Sequence, residues 1–463
     1  MKEISISKQE EFSKSFNGDR ANVIASNAAF HNGLLEAATD YREVSKLPLT
    51  FTIDLKQGDI TNQRASGRCW IFSALNTFRY EIIHKYNLKT FELSQNYMFF
   101  YDKLEKSNYF LESILSTTDE PVDGRLISFL YQDPLGDGGQ WDMLANLVMK
   151  YGVVPVSAYP DSANAKTSRW MDEYLTSKLR EDATELRNAK IAGKSEEELA
   201  DMKSRMMEEV YRILAITLGE PPKSFDLTLH VKNDKRKDDK NKKDGKDSKK
   251  EKNENDDVIQ EFGITPVEFF KKYVGIDLKK RVSLINAPDR PYDTMYTVKY
   301  LGNVIEGNPV AYLNLEMDVI KKAVIAQLKD GHPVWFGSDC MKFSARKEGV
   351  FDRKSMDIEG IFNIEYHFTK ADRLKYYDSA MNHAMVINGV NLDKNGKPDR
   401  WKIENSWGDD AGIKGYYVAS DSWFDEFVYQ AVVDKKYLDK ETRKLFKKEM
   451  VGLEPWDPMG SLA

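Results

Sequence analysis

The sequence predicts an α+β protein with a helix-rich first part and a sheet-rich second part, and three observations carry that reading. Residues 66–80 (SGRCWIFSALNTFRY) set Trp70, Ile71, Ala74, Leu75 and Phe78 at helical spacing. Residues 167–218 hold two amphipathic stretches, one with Met171, Leu175, Leu179 and Leu186, the other with Leu199, Met202, Met206, Val210 and Ile213. Beyond residue 330, short runs rich in β-branched and aromatic side chains recur at 334–338, 383–390, 401–405 and 415–419. At 463 residues the chain exceeds what one core usually serves, so two or three compact units are expected.

Taken in order, residues 1–56 are polar and mixed, with a helix expected around 26–39, and read as an N-terminal arm. Residues 57–160 form a helical lobe in which Cys69 falls near a helix N-terminus. Within it, LGDGGQ at 135–140 is a glycine-rich turn before another helix running through Met149. Residues 161–230 read as an inserted helical hairpin with outward stripes available for subunit contacts. Ser195 and Glu198 have capping-box spacing, and Gly219, Pro221 and Pro222 end the pair. The run at 232–257 holds 11 basic and 9 acidic residues and otherwise only Asn, Gly and Ser, so residues 231–257 are expected to be a solvated, disordered loop. Residues 258–434 form the sheet-rich lobe, with a helix at 318–329, and residues 435–463 a final helix at 439–450 followed by a Pro- and Gly-containing arm.

Composition excludes several classes of function. Hydrophobic residues make up 41%, with 23 Tyr, 23 Phe and 8 Trp, which is enough to fill cores. The balance of 68 Lys+Arg against 74 Asp+Glu leaves a net charge of −6, so no global positive field draws nucleic acid or an anionic membrane. Even the charged run carries only 11 − 9 = +2 and no aromatic side chain to stack on a base. The first residues lack the apolar core of a signal peptide, and no stretch approaches the roughly 18 apolar residues that span a bilayer, so a cytoplasmic protein is expected. Two cysteines, Cys69 and Cys340, are too few for a disulfide framework. There is no HExxH or paired Cys/His ligand spacing, so neither metal nor other cofactor is expected.

Cys69 is the first candidate for chemistry. A thiol at a helix N-terminus feels the positive end of the macrodipole, which favours thiolate at neutral pH. Alone it reads more often as an inert core residue. His383, at the head of an apolar strand-like run, and Asn405, 405 − 383 = 22 residues later on the next, change the balance. A hairpin through the turn at 393–399 brings them together, so that Asn405 holds the imidazole and Trp407 shields the bond from water. Gln63, 69 − 63 = 6 residues before the cysteine, supplies a side-chain amide that pairs with the Cys69 N–H to receive an oxyanion.

Gln63, the run Ser66-Gly67-Arg68-Cys69-Trp70, His383 and Asn405-Ser406-Trp407-Gly408 resemble the active-site segments of papain-like cysteine peptidases. The nearer resemblance is to the cytosolic branch of bleomycin hydrolase and bacterial aminopeptidase C. Gly138-Gly139-Gln140-Trp141-Asp142 and the tail from Glu454 support it, and it covers nearly the whole chain. Ser66 stands where secreted members carry a disulfide-forming cysteine, and the Cys-to-His separation is 383 − 69 = 314 against roughly 130 to 150, so an insertion is expected. No physical account of Arg68, where the signature has Ser or Ala, is legible in the sequence.

The resemblance implies a two-lobed papain-like fold with the cleft between lobes, and it makes the helical hairpin a hook used to assemble hexameric rings. It implies thiolate attack by Cys69, proton transfer by His383, and an acyl-enzyme. It also implies that the C-terminal arm lies in the cleft with the Ala463 carboxylate receiving a peptide's free α-amino group, while Gly138 and Gly139 form a wall along the substrate backbone. The expected partners are peptides with a free N-terminus and further copies of the chain. An endopeptidase with the same residues is the rival reading, and a non-enzymatic scaffold or nucleic-acid-binding homologue a second. Cys340 reads as a small buried hydrophobe.

Overall fold

Strong local signals at helix ends set the first half of the fold. The computed structural model describes residues 3–231 and 257–463. Helices α1 (Ile6–Gly18) and α2 (Arg20–Asn32) open the chain. The single helix expected around 26–39 is instead broken at Gly33, whose φ of 85° interrupts the helix before the short turn Leu34–Ala38 begins. Helix α3 (Cys69–Lys85) is buried on nearly every face, as its all-round apolar sequence requires. Around it lie α4 (Gln95–Ser116), capped by the Ser94 side chain on the Tyr97 N–H, α5 (Arg125–Gln132) and α6 (Trp141–Tyr151).

The predicted hairpin is present as α7 (Arg169–Ile191) and α8 (Glu196–Leu218). Its capping box is formed in both directions, at 3.2 Å from the Glu198 N–H to Ser195 Oγ and 2.9 Å from the Ser195 N–H to Glu198 Oε2. Its stripes, however, do not face outward. Met171, Leu175, Leu179, Leu186, Leu199, Met206 and Val210 are buried in the core of the helical lobe, and both helices pack on α4, because an apolar stripe gains most where another helix covers it. The expected disordered loop falls on residues 232–256, which lie outside the described residues. On either side of it β1 (Phe225–Val231) pairs antiparallel with β2 (Asp257–Ile264). Residues from 258 therefore do not open the sheet-rich lobe directly, and Phe269, Phe270 and Tyr273 after β2 join the helical core.

The second lobe is built on a twelve-stranded sheet. Its strands include β3 (Arg281–Ile285), β4 (Thr294–Val298) and β5 (Tyr312–Asn314), then, after helix α9 (Met317–Lys329), β6 (Val334–Ser338), β7 (His383–Leu392), β8 (Pro398–Glu404), β9 (Tyr416–Ser420), β10 (Val428–Asp434) and β11 (Val451–Leu453). The order β11-β4-β5-β3-β10-β6-β7-β8-β9 places β7 between β6 and β8, both antiparallel to it. Ile53 and Asp54 also pair with β7, so the sheet takes up the end of the N-terminal arm. The final helix expected at 439–450 stops at Leu445, and Val451–Leu453 leaves it to pair in parallel with residues 296–298. Among the described residues two large apolar cores result, one around α3 and one behind the sheet, with a small third around Ala38 and Met356. Across the seam α3 packs on β7, with Ser73 Oγ donating to the Ala384 carbonyl at 2.8 Å.

Candidate active site

That seam links His383, Asn405 and, through Ser406, Gln63, and sets Cys69 beside Ala384. Cys69 is the first residue of α3, and its thiol lies beside the backbone N–H groups of Trp70, of Cys69 itself and of Ala384, the residue after His383. His383 is the first residue of β7, and Asn405 follows the last residue of β8. The hairpin between them turns through Gly396 at φ 79°, with the Asp393 N–H donating to Lys397 O at 2.8 Å. Nε2 of His383 then lies 2.8 Å from Asn405 Oδ1. Because a carbonyl oxygen only accepts, this bond puts the proton on Nε2 and leaves Nδ1 as the basic atom. Oδ1 also accepts from the Ser406 N–H at 2.8 Å, which fixes the amide in that orientation. The Trp407 indole stacks on the imidazole with ring centroids 4.9 Å apart and covers the bond, as its place in the sequence suggested.

Gln63 arrives from a different segment. Residues 61–63 run alongside 406–408, with the Gln63 N–H on Ser406 O at 2.8 Å and the Gly408 N–H on Thr61 O at 3.1 Å. Its side-chain oxygen accepts from Ser406 Oγ at 2.7 Å, and its amide nitrogen donates to Ser66 O at 2.7 Å. One amide hydrogen is used there and the second remains for a ligand.

The thiol does not behave as the helix position alone predicts. Burial pushes Cys69 up to about 11, outweighing the three N–H donors, because an isolated buried thiolate loses its hydration. Burial likewise pushes His383 down to about 4, against the bond from Asn405 that favours the charged ring. Neither group holds a charge alone at neutral pH.

The C-terminus also ends here. Ala463 and Gly139 exchange backbone hydrogen bonds, N–H to O at 3.2 Å and 3.4 Å, and Gln140 Nε2 donates to Ser461 O at 2.7 Å. A side chain at Gly138 would meet the Ala463 carbonyl oxygen at 2.7 Å, and one at Gly139 the Trp70 ring at 2.5 Å. Gly138 is what lets the tail lie against the wall, and Gly139 what lets the wall pack on Trp70. The tail is tied further out by the Arg290–Asp457 ion pair at 3.0 Å and by Arg125, whose guanidinium sits 4.0 Å from the Trp456 ring centroid. Among the described residues no group of three or more His, Cys, Asp or Glu is placed to hold a metal ion, and no helix is long and apolar enough to cross a membrane.

The pattern of the peptidase C1-like family matches residues 3–460. The chain belongs to that family. Among curated peptidase C1-like relatives, it is 45% identical to aminopeptidase C of Lactobacillus delbrueckii subsp. lactis, over 100% of this chain and 99% of that one. It is equally 45% identical to aminopeptidase C of Listeria innocua, with the same coverage. The crystal structure of PepW from Lactobacillus rhamnosis superposes with a TM-score of 0.93 at 44% identity, covering 100% of this chain and 99% of that one. The two-lobed papain-like fold expected from the sequence is thus the fold of this peptidase C1-like chain.

Several supporting residues escaped the sequence reading. Arg68 is wholly buried, bidentate to Asp161 at 2.8 and 2.9 Å, bonded to Ser66 Oγ at 2.9 Å and packed on Phe72 and Phe99. It pins the loop that presents Cys69, which accounts for a residue the papain signature does not contain. Asp137 does the same from the other side, accepting from the Gly67 N–H at 2.8 Å and Ser168 Oγ at 2.6 Å while paired with Lys103 at 2.7 Å. Ser406 was visible only as part of a motif. Cys340 is buried, and burial raises its thiol far above the ordinary range, in keeping with a small apolar role.

Proposed function

We propose that the protein is a cysteine aminopeptidase that releases residues one at a time from the free N-terminus of peptides. The observation that carries this reading is the seat of Ala463, 5% exposed and hydrogen-bonded to Gly139 beside the helix that begins at Cys69. A carboxylate at that point receives a substrate ammonium group, and the tail blocks the cleft for anything longer on the same side. Full-length similarity to proteins named aminopeptidase C supports the same activity.

In this reading the Cys69 proton passes to Nδ1 of His383 as sulfur attacks the carbonyl carbon. The oxyanion is received by the free Gln63 amide hydrogen and the Cys69 N–H. The tetrahedral species collapses, the C–N bond breaks, and His383 returns its proton to the leaving amine. Water then gives a proton to His383 and attacks the thioester, which frees the amino acid and restores the thiol. Asn405 orients the ring and Trp407 keeps water from the His383–Asn405 bond. Gly138 and Gly139 line the substrate backbone. We place the enzyme in the cytoplasm, on the serine at position 66 and on two unpaired cysteines, and we read it as a homohexamer by resemblance to its family.

Deletion of residues 461–463 tests the reading. The truncated enzyme should lose preference for unblocked over N-acetylated peptides and gain cleavage of internal bonds, while Cys69→Ala should lose at least about a thousandfold in kcat/KM on either. Unchanged preference for free amino termini after truncation rejects the tail mechanism, and full hydrolysis by Cys69→Ala rejects the enzyme assignment.

A further inference from the structure

The direction in which a substrate lies follows from the two ends of the cleft. Ala463 sits on the Gly139 side, so a peptide whose amino group meets it runs the rest of its chain the other way. In that reading its leaving amine lies at His383, and Trp407, stacked on the imidazole, is the first ring a continuing chain would meet. There the surface sinks into a hollow of about 440 Å3, lined among others by Arg346, Lys347, Trp407, Asp410 and Tyr417.

The cations of this hollow are not equivalent. Lys347 is engaged by Glu36 at 2.6 Å. Arg346 is exposed, its guanidinium lies 5.6 Å from the Trp407 ring centroid, and among the described residues its side chain hydrogen-bonds only the sulfur of Met341. Among the described residues it has no carboxylate partner. Its charge reaches the imidazole, where it opposes protonation of His383, so it stands within electrostatic range of the leaving-group site. A guanidinium over an indole, with no carboxylate of its own, has donors to spare, which suits bidentate capture of a carboxylate. Resting on the aminopeptidase reading above, we infer that Arg346 binds a carboxylate on the leaving side of the substrate. The enzyme therefore favours short peptides whose C-terminus falls one or two residues past the cleaved bond, or peptides with an acidic side chain there.

Asp410 is the one acid lining the hollow and moderates the pull, and the site is open to solvent, so the expected preference is modest, about threefold to tenfold. The full-length enzyme and Arg346→Gln are compared by kcat/KM on Leu-Ala and Leu-Ala-Ala, each as free acid and C-terminal amide, and on Leu-Asp-amide against Leu-Asn-amide. The wild type should prefer the carboxylate-bearing member of at least one pair, less so in high salt, and Arg346→Gln should bring that ratio near one. Preference in the acid/amide pairs identifies the α-carboxylate as the ligand, and preference in the Asp/Asn pair the side chain. Ratios near one throughout in the wild type, or ratios untouched by Arg346→Gln, overturn the inference while leaving the aminopeptidase intact. A wild type that cleaves none of these peptides and no aminoacyl arylamide overturns the function on which it rests.

Discussion

At His383, burial decides over what range of pH the base can work. With the ring pushed down to about 4, the imidazole stays neutral and able to accept the Cys69 proton until the medium is distinctly acid. The acid limb of kcat/KM should therefore have its midpoint near pH 4, well below the 6.5 of a free imidazole, with activity lost as pH falls through it. A limb centred near 6.5 in a steady-state pH profile contradicts a buried base. The same shift has a sign for stability. Between about pH 6.5 and 4 the unfolded chain binds a proton that the folded chain does not, so acidification across that window costs on the order of 3 kcal/mol, absent above it and complete below it. Thermal unfolding of the wild type beside His383→Gln reads this out, the variant losing less Tm between pH 7 and 4.5.

At the scale of elements, the geometry of the site depends on α3 keeping its seat against the sheet. Arg79 on α3 pairs with Glu404 at the end of β8 at 2.7 Å, both buried, and its other nitrogen donates to Asp59 O at 2.5 Å. One residue beyond Glu404 is Asn405. Removing one partner strands a buried charge, so Arg79→Met should destabilise by about 3–5 kcal/mol in urea unfolding, and Arg79→Met with Glu404→Leu should recover most of it. A single variant within about 1 kcal/mol of wild type shows that the pair does not hold the elements together. This also marks the boundary of what the sequence made legible. The Cys69 helix, the His383–Asn405 hairpin and the Ser195–Glu198 cap each depend on residues a few positions apart or on one turn, so their physics is written locally. Arg68 with Asp161, Gly67 with Asp137 and Gln63 with Ser406 join residues 93, 70 and 343 positions apart, and nothing in their neighbourhoods says so. Strands β3, β4 and β5 were illegible for a different reason: they are short and largely buried on both faces, so the alternation that reveals a half-exposed strand is missing. The position of the tail came from resemblance, since a terminal Pro- and Gly-containing segment otherwise reads as disorder.

For the whole molecule, the first two helices pose a problem of stability that the chain does not solve by itself. Neither α1 nor α2 buries a single side chain, and Phe12, Phe16 and Phe30 are 53%, 44% and 93% exposed. Thirteen-residue helices of ordinary composition are marginal in water unless an apolar face is covered. Large exposed aromatics on helices that bury nothing mark a surface for association. Closed, symmetric self-association covers such faces at no cost in new sequence, and it is the arrangement the family resemblance implies. Sedimentation equilibrium at micromolar concentration should accordingly give about six chain masses for the wild type, 53.3 kDa each. Phe12→Asp, Phe16→Asp and Phe30→Asp together should shift the mass toward smaller species, with far-ultraviolet circular dichroism showing loss of helix at the N-terminus. The lobes and cleft do not use these side chains for their cores, so folding of the remainder should be retained. A monomeric wild type, or a triple variant that sediments as the wild type does, would place the coverage of these helices elsewhere and remove the argument for assembly through them.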